Sequence, residues 1–204
     1  MFARMIFYKK FLIFPVVFFL LLSTPVDSQN YPKKIRGYKV YQTKVSVKTK
    51  SEKSSENEET EAIIKVGEPE ITDISLTGIT FEVPAEIKGA DQIGKVDFVA
   101  FEDFKVNDLD VEIEEYKESF ELNKGEIIIL PKPVKIFIGA GQTLRGAFKE
   151  IKDSKDVWAV TGRLFVFGKF KKYGFNFKRV VPIDVNIKIE NPVKKRLAQN
   201  DKSK

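Results

Sequence analysis

Paired carboxylates are the one catalytic raw material this sequence holds in quantity. Asp108, Asp110, Glu112 and Glu114 recur at every second position, preceded by Asp97, Glu102 and Asp103. Two carboxylates held a few ångströms apart can hydrolyse a glycoside, one as acid and the other as base or nucleophile. The same oxygens suit calcium, a hard cation. A plainer reading competes with both. Leu109, Val111 and Ile113 fill the intervening positions, so the acids read as the solvated face of a half-buried strand.

The rest of the catalytic inventory is thin. The chain has neither histidine nor cysteine. That removes the commonest general base and metal ligand, the thiol nucleophile, thiolate metal sites and disulfides. It also removes a lipidated N-terminal cysteine. Gly139-Ala140-Gly141 lacks the spacing and following lysine of a P-loop, and a dinucleotide fingerprint would need a further glycine and a helix. The chain is therefore read as a non-enzyme, with no catalytic, cofactor or metal site.

Binding chemistry is better represented. Lys169, Phe170, Lys171, Lys172 and Tyr173 form the candidate interaction surface, with Phe175, Phe177, Lys178 and Arg179 close by. Basic residues interleaved with aromatics can hold single-stranded nucleic acid. An exported chain rarely meets that ligand, so no nucleic acid is expected. The partners expected are client proteins, envelope proteins or an anionic membrane surface.

Export is read from the N-terminus. Arg4, Lys9 and Lys10 precede an apolar run from Phe11 to Leu22. Ser23 to Ser28 supplies a polar end, with Val26 and Ser28 placed for cleavage before Gln29. The run is shorter than the roughly 20 residues of a bilayer span. Residues 1–28 therefore read as a signal peptide, and the destination as periplasmic or extracellular. Met5 to Tyr8 lengthen the greasy part, which leaves an uncleaved anchor as the alternative. Cleavage would remove three of 35 basic residues and one of 29 acidic ones, leaving a mild net charge of +4.

These residues must be positioned by strands. Asp156 to Glu190 holds two alternating runs, Trp158-Val160-Gly162-Leu164-Val166 and Phe175-Phe177 through Val181-Ile183-Val185-Ile187-Ile189. A period of two with branched and aromatic residues inside marks half-buried strands. Gly168 to Gly174 reads as their connection, making a β-hairpin with one face in a core. Ala62–Val66, Ile71–Ile87 (bent at Gly78 and Pro84), Val96–Phe104 and Val106–Tyr116 supply further strands, with Asn107-Asp108 as a two-residue turn. Ser119–Leu122, Gly125–Leu130 and Val134–Ile138 follow, the last after the break at Pro131-Lys132-Pro133. Leu144–Ile151 fits a strand or a short amphipathic helix, and Gly146 favours the strand.

About seven to nine short strands predict an all-β, immunoglobulin-like antiparallel β-sandwich over residues 62–190. Residues 29–61 read as a basic lead-in, an edge strand near Tyr38 to Val47, and a charged flexible loop from Lys48. Residues 191–204 read as a basic flexible tail.

Four stretches together resemble the atypical late-embryogenesis-abundant family built on the WHy (water stress and hypersensitive response) domain. Ile71 to Val83 is similar to the family's opening strand, and Phe101 to Asp108 to its central hairpin. Pro133 to Ile138 is similar to the strand that follows, and Trp158 to Val166 to the late strand in which a glycine follows an apolar-x-apolar pattern. The family's Asn-Pro pair after the opening strand is replaced here by Pro84-Ala85-Glu86, and Asn191-Pro192 stands after the last strand. For a chain read as exported and non-enzymatic, the resemblance implies a role in desiccation or other stress tolerance, by shielding client proteins or membranes. The alternative is a cell-envelope adhesion or assembly module that binds a protein or polyanionic partner. A carboxylate-based hydrolase comes third.

Overall fold

The computed structural model describes residues 31–52, 62–89, 92–139 and 156–195. The signal segment, most of the charged loop after Lys48, the Leu144–Ile151 stretch and the end of the basic tail lie outside the described residues.

Among the described residues, fifteen strands account for nearly all the regular structure. The first eight are β1 (Lys34–Ile35), β2 (Tyr38–Val40), β3 (Val45–Thr49), β4 (Ala62–Val66), β5 (Glu70–Ile74), β6 (Gly78–Val83), β7 (Ala85–Lys88) and β8 (Ile93–Val106). The remainder are β9 (Leu109–Asp110), β10 (Glu112–Ile113), β11 (Phe120–Leu122), β12 (Ile127–Ile129), β13 (Val134–Gly139), β14 (Val157–Lys172) and β15 (Phe175–Glu190). The protein is all-β and sandwich-like, built from mainly antiparallel sheets. Twelve of the strands, β4 to β15, lie in the span expected to hold seven to nine, because turns, bulges and prolines divide the long runs.

The expected hairpin is the centre of the large sheet. β14 and β15 pair without a break from Val157↔Glu190 to Lys172↔Phe175, a ribbon roughly 50 Å long at about 3.3 Å per residue. The large sheet runs β1-β2-β15-β14-β8-β11, with β9 beside β8. Asn107 and Asp108 both adopt positive φ (48° and 67°) and turn β8 into β9, as expected of a two-residue turn.

Two four-stranded sheets, β10-β13-β6-β5 and β12-β7-β4-β3, cover one face of the large sheet. Chain segments pass between them at two proline-bearing corners. Pro84 separates β6 from β7, and Pro131-Lys132-Pro133 separates β12 from β13. Proline donates no ladder hydrogen bond, so a continuous sheet ends there. The corners are tied by Gly67 N–H donating to Pro84 O (2.8 Å) and Leu130 N–H donating to Ala85 O (3.0 Å).

Several expected elements are divided differently. Ile71 to Ile87, expected as one long strand or two, is three strands in two sheets. Gly78 opens β6 after a tight turn closed by Ser75 N–H donating to Gly78 O. The lead-in is split as well: β2 joins β15 in parallel while β3 joins β4 in parallel. Asn191 is buried rather than part of a frayed tail. Its side-chain oxygen accepts hydrogen bonds from the Val193 and Lys194 amides (3.0 and 3.2 Å), capping a helical turn that starts at Pro192.

Trp158, Val160 and Leu164 on β14, with Val181, Ile183, Val185 and Ile187 on β15, face the core. Asp103, at φ 55°, sits where the register of β8 on β14 slips. The extra residue lets Phe101 and Phe104, three positions apart, both reach the core side. Gly162 opposite leaves room for Phe104, whose ring would lie 2.5 Å from a Cβ there. Phe81 meets Trp158 edge-on at 5.9 Å.

The outer face of the large sheet is unexpectedly apolar. Phe165 and Phe167 point away from the sandwich yet are 4% and 1% exposed. Phe98 stacks on Phe167 at 4.4 Å, and Tyr38 meets Phe167 edge-on at 5.2 Å. The Arg36 guanidinium lies over both phenylalanine rings and pairs with Glu115. The lead-in is therefore part of the fold's packing.

Candidate functional site

The far end of the β14–β15 ribbon carries the residues singled out for binding. The connection is shorter than the Gly168-to-Gly174 loop expected. The strands continue to Lys172 and Phe175, and only Tyr173-Gly174 make the turn, at φ 51° and 82°. Positive φ at both central residues is the type I′ pattern, whose twist matches a right-handed ribbon.

Neighbouring support stops before the turn. β8 reaches only as far as Ile93, opposite Lys171, so Lys172 to Phe175 extend past the edge of the sheet. Tyr173 is 87% exposed, Phe175 70% and Phe177 39%. Phe170 departs from expectation: it is buried, packed in the core cluster, and offers no contact surface. Phe175 and Phe177 depart in the other direction. They were expected in the core, but they lie past its end.

The ribbon is amphipathic across its thickness. Lys169, Lys171 and Lys178 lie on the outer face, in register with the row that carries Phe167. Phe175, Phe177, Lys172 and Arg179 lie on the other. Cations sit over rings at several points: Lys172 Nζ over Tyr173 at 5.4 Å, Arg179 over Tyr41 and Phe177 at 4.8 and 5.4 Å, and Lys178 Nζ over Tyr38 at 5.8 Å. Tyr38 also donates its hydroxyl proton to Asp97 at 2.9 Å. Burial pushes its phenol above the ordinary range, and the Asp97 hydrogen bond and charge add to that.

Lys95, Lys169 and Lys178 stand abreast on three adjacent strands, each directly opposite the next. All three are exposed, and among the described residues none is in an ion pair. Like charges directly opposite one another destabilise a sheet. From Lys169 to Arg179 the ribbon has five basic residues and no acidic one. Such a row is relieved by an anionic partner.

The alternating acids do not form a comparable site. The chain leaves the large sheet between Asp110 and Glu112, so the four do not share one strand face as expected. Asp110 pairs with Lys105 at 3.3 Å. Among the described residues no group of acids is arranged to hold a metal ion.

Lys95 and the exposed Ile93 belong to the tip only through pairing of β8 with β14, and nothing local in the sequence marks them. Exposure of Phe175 and Phe177 has a local signal. Tyr-Gly read as a two-residue turn extends both strands past the last aliphatic pair.

The chain matches no family model and none of the curated proteins. A solved structure described as a protein from Archaeoglobus fulgidus is similar over 60% of this chain and 92% of its own, with a TM-score of 0.33 and 8% identity. That likeness is too slight to carry over a fold or an activity.

Proposed function

We propose that this chain is an exported, non-enzymatic binding module that docks on an anionic bilayer surface through the tip of the β14–β15 ribbon. The observation that carries the proposal is the projecting, acid-free ribbon end, with Tyr173 and Phe175 exposed beside unpaired lysines. Amphipathic aromatic rings favour the headgroup level of a membrane. Each nearby lysine or arginine adds about 1 kcal/mol of attraction to an anionic leaflet. Protection of membranes under drying, implied by the family resemblance, would draw on the same contact.

Cosedimentation with vesicles tests the docking. The purified chain should bind vesicles rich in phosphatidylglycerol and leave phosphatidylcholine vesicles free, with binding weakened by salt. Lys171→Glu with Lys172→Glu should reduce binding by about tenfold or more, as should Tyr173→Ser with Phe175→Ser. If both double variants fold and still bind as the parent does, the tip is not the contact. Drying and rehydrating the same vesicles around an entrapped dye would read out protection. Leakage equal to that with albumin would remove the protective role.

A further inference from the structure

The interior of the sandwich is not fully packed. An apolar cavity of about 120 Å³ lies between the large sheet and the seam where the two smaller sheets meet. Leu164 and Val166 line it from the large sheet, and Ile87 and Val134 from the opposite layer. A second apolar cavity, of about 50 Å³, extends towards Trp158 and shares walls with the first at Phe104 and Val160. The two voids are neighbours along β14, the larger against Leu164 and Val166 and the smaller against Trp158, a slot in two parts.

Protein interiors ordinarily leave few voids larger than a water molecule. This slot has a structural cause: ladder pairing stops at Pro84 and again between Pro131 and Pro133, so no continuous sheet closes over the large sheet there. No polar atom lines either cavity, and a water molecule needs two to four polar partners. Such a space stays dry and accepts apolar guests, as an engineered cavity of about 150 Å³ accepts benzene.

We propose that this slot binds the alkyl tail of a single-chain amphiphile. Two voids neighbouring along one strand fit a linear chain better than a compact ring, and their lining offers nothing to a polar ligand. The polar head of the amphiphile would stay in solvent, since the lining has no group to hold it. The site uses none of the residues at the ribbon tip, so it stands apart from the docking proposal.

Trp158 is the only tryptophan in the chain and walls the smaller lobe, which makes it a built-in reporter. Undecanoate is the probe, and ω-bromo-undecanoate its quenching analogue. Undecanoate should raise the melting temperature saturably, and the brominated chain should quench Trp158 emission and be displaced by undecanoate. Ala85→Leu and Val166→Phe, each filling the larger lobe, should weaken binding by about tenfold or more, the loss expected when roughly two methylenes are denied burial. Lys171→Glu with Lys172→Glu should bind undecanoate as the parent does, which separates this site from the tip. Two results would overturn the proposal. One is a melting temperature unmoved by undecanoate. The other is binding that persists in whichever filled variant folds, which would place the chain on the surface.

Discussion

At Tyr173 the backbone takes a conformation that side chains of L residues avoid. A left-handed φ costs such a residue about 1–2 kcal/mol, and Asn-Gly is the usual solution for a type I′ turn. Of the other two-residue turns among the described residues, Asn107-Asp108 obeys that preference, while at Arg36-Gly37 the left-handed Arg36 lies over Phe98 and Phe167 and pairs with Glu115. A tyrosine, 87% exposed, gains no burial to offset its cost. Strain held at an exposed apex by a residue with an aromatic face points to contact with something outside the chain. Tyr173→Asn should therefore stabilise the protein by about 1 kcal/mol, seen as a higher urea midpoint with unchanged slope. The same change should lower affinity for anionic vesicles. Stabilisation without loss of vesicle binding would make Tyr173 a structural accident rather than a contact residue.

Among the elements, those with strong local chemistry were legible in the sequence. The long alternation from Trp158 to Ile189, the Asn-Asp turn and the proline break before Val134 all lie where their residues predicted. What was not legible depended on partners distant in sequence. Nothing near Phe98 or Phe167 says that Tyr38 and Arg36 will cover them, and nothing near Val111 says the chain will change sheets there. The buried position of Phe170 follows from its neighbours in the core, while Phe177, its partner across the ribbon, is left partly exposed at the core's edge. Asn191-Pro192 is the instructive intermediate case. An asparagine cap followed by proline at the first helical position is a strong local signal, obscured by the basic, polar residues after it. Asn191 is 2% exposed and satisfies two backbone amides. Asn191→Ala should cost about 0.5–2 kcal/mol. Hydrogen exchange should quicken first at the amides of Val193 and Lys194. Unchanged protection there would mean that the Lys194–Asp156 and Lys195–Glu68 ion pairs hold the turn by themselves.

For the whole molecule, the slot sets a conflict between topology and packing. Dividing the second layer at Pro84 and at Pro131 to Pro133 lets short strands cover a long, twisted sheet, but the division leaves apolar walls without neighbours. At about 24 cal/mol per Å³, a void of about 120 Å³ forgoes roughly 3 kcal/mol of packing. A penalty of that size matters in a protein held by 5–15 kcal/mol overall, and a bound chain would recover part of it. The void also makes the folded state larger than the sum of its atoms, which pressure opposes. Its elimination on unfolding adds to the volume decrease that favours the unfolded chain under pressure. High-pressure fluorescence of Trp158 should therefore show unfolding at moderate pressure with a large volume change. Ala85→Leu should shrink that change and raise the midpoint pressure. Saturating undecanoate should act in the same direction on the parent and have little effect on the filled variant, because the same space can be occupied only once. A volume change identical in the parent and in Ala85→Leu would show that the sandwich closes over the slot in solution, leaving no space for a chain to enter.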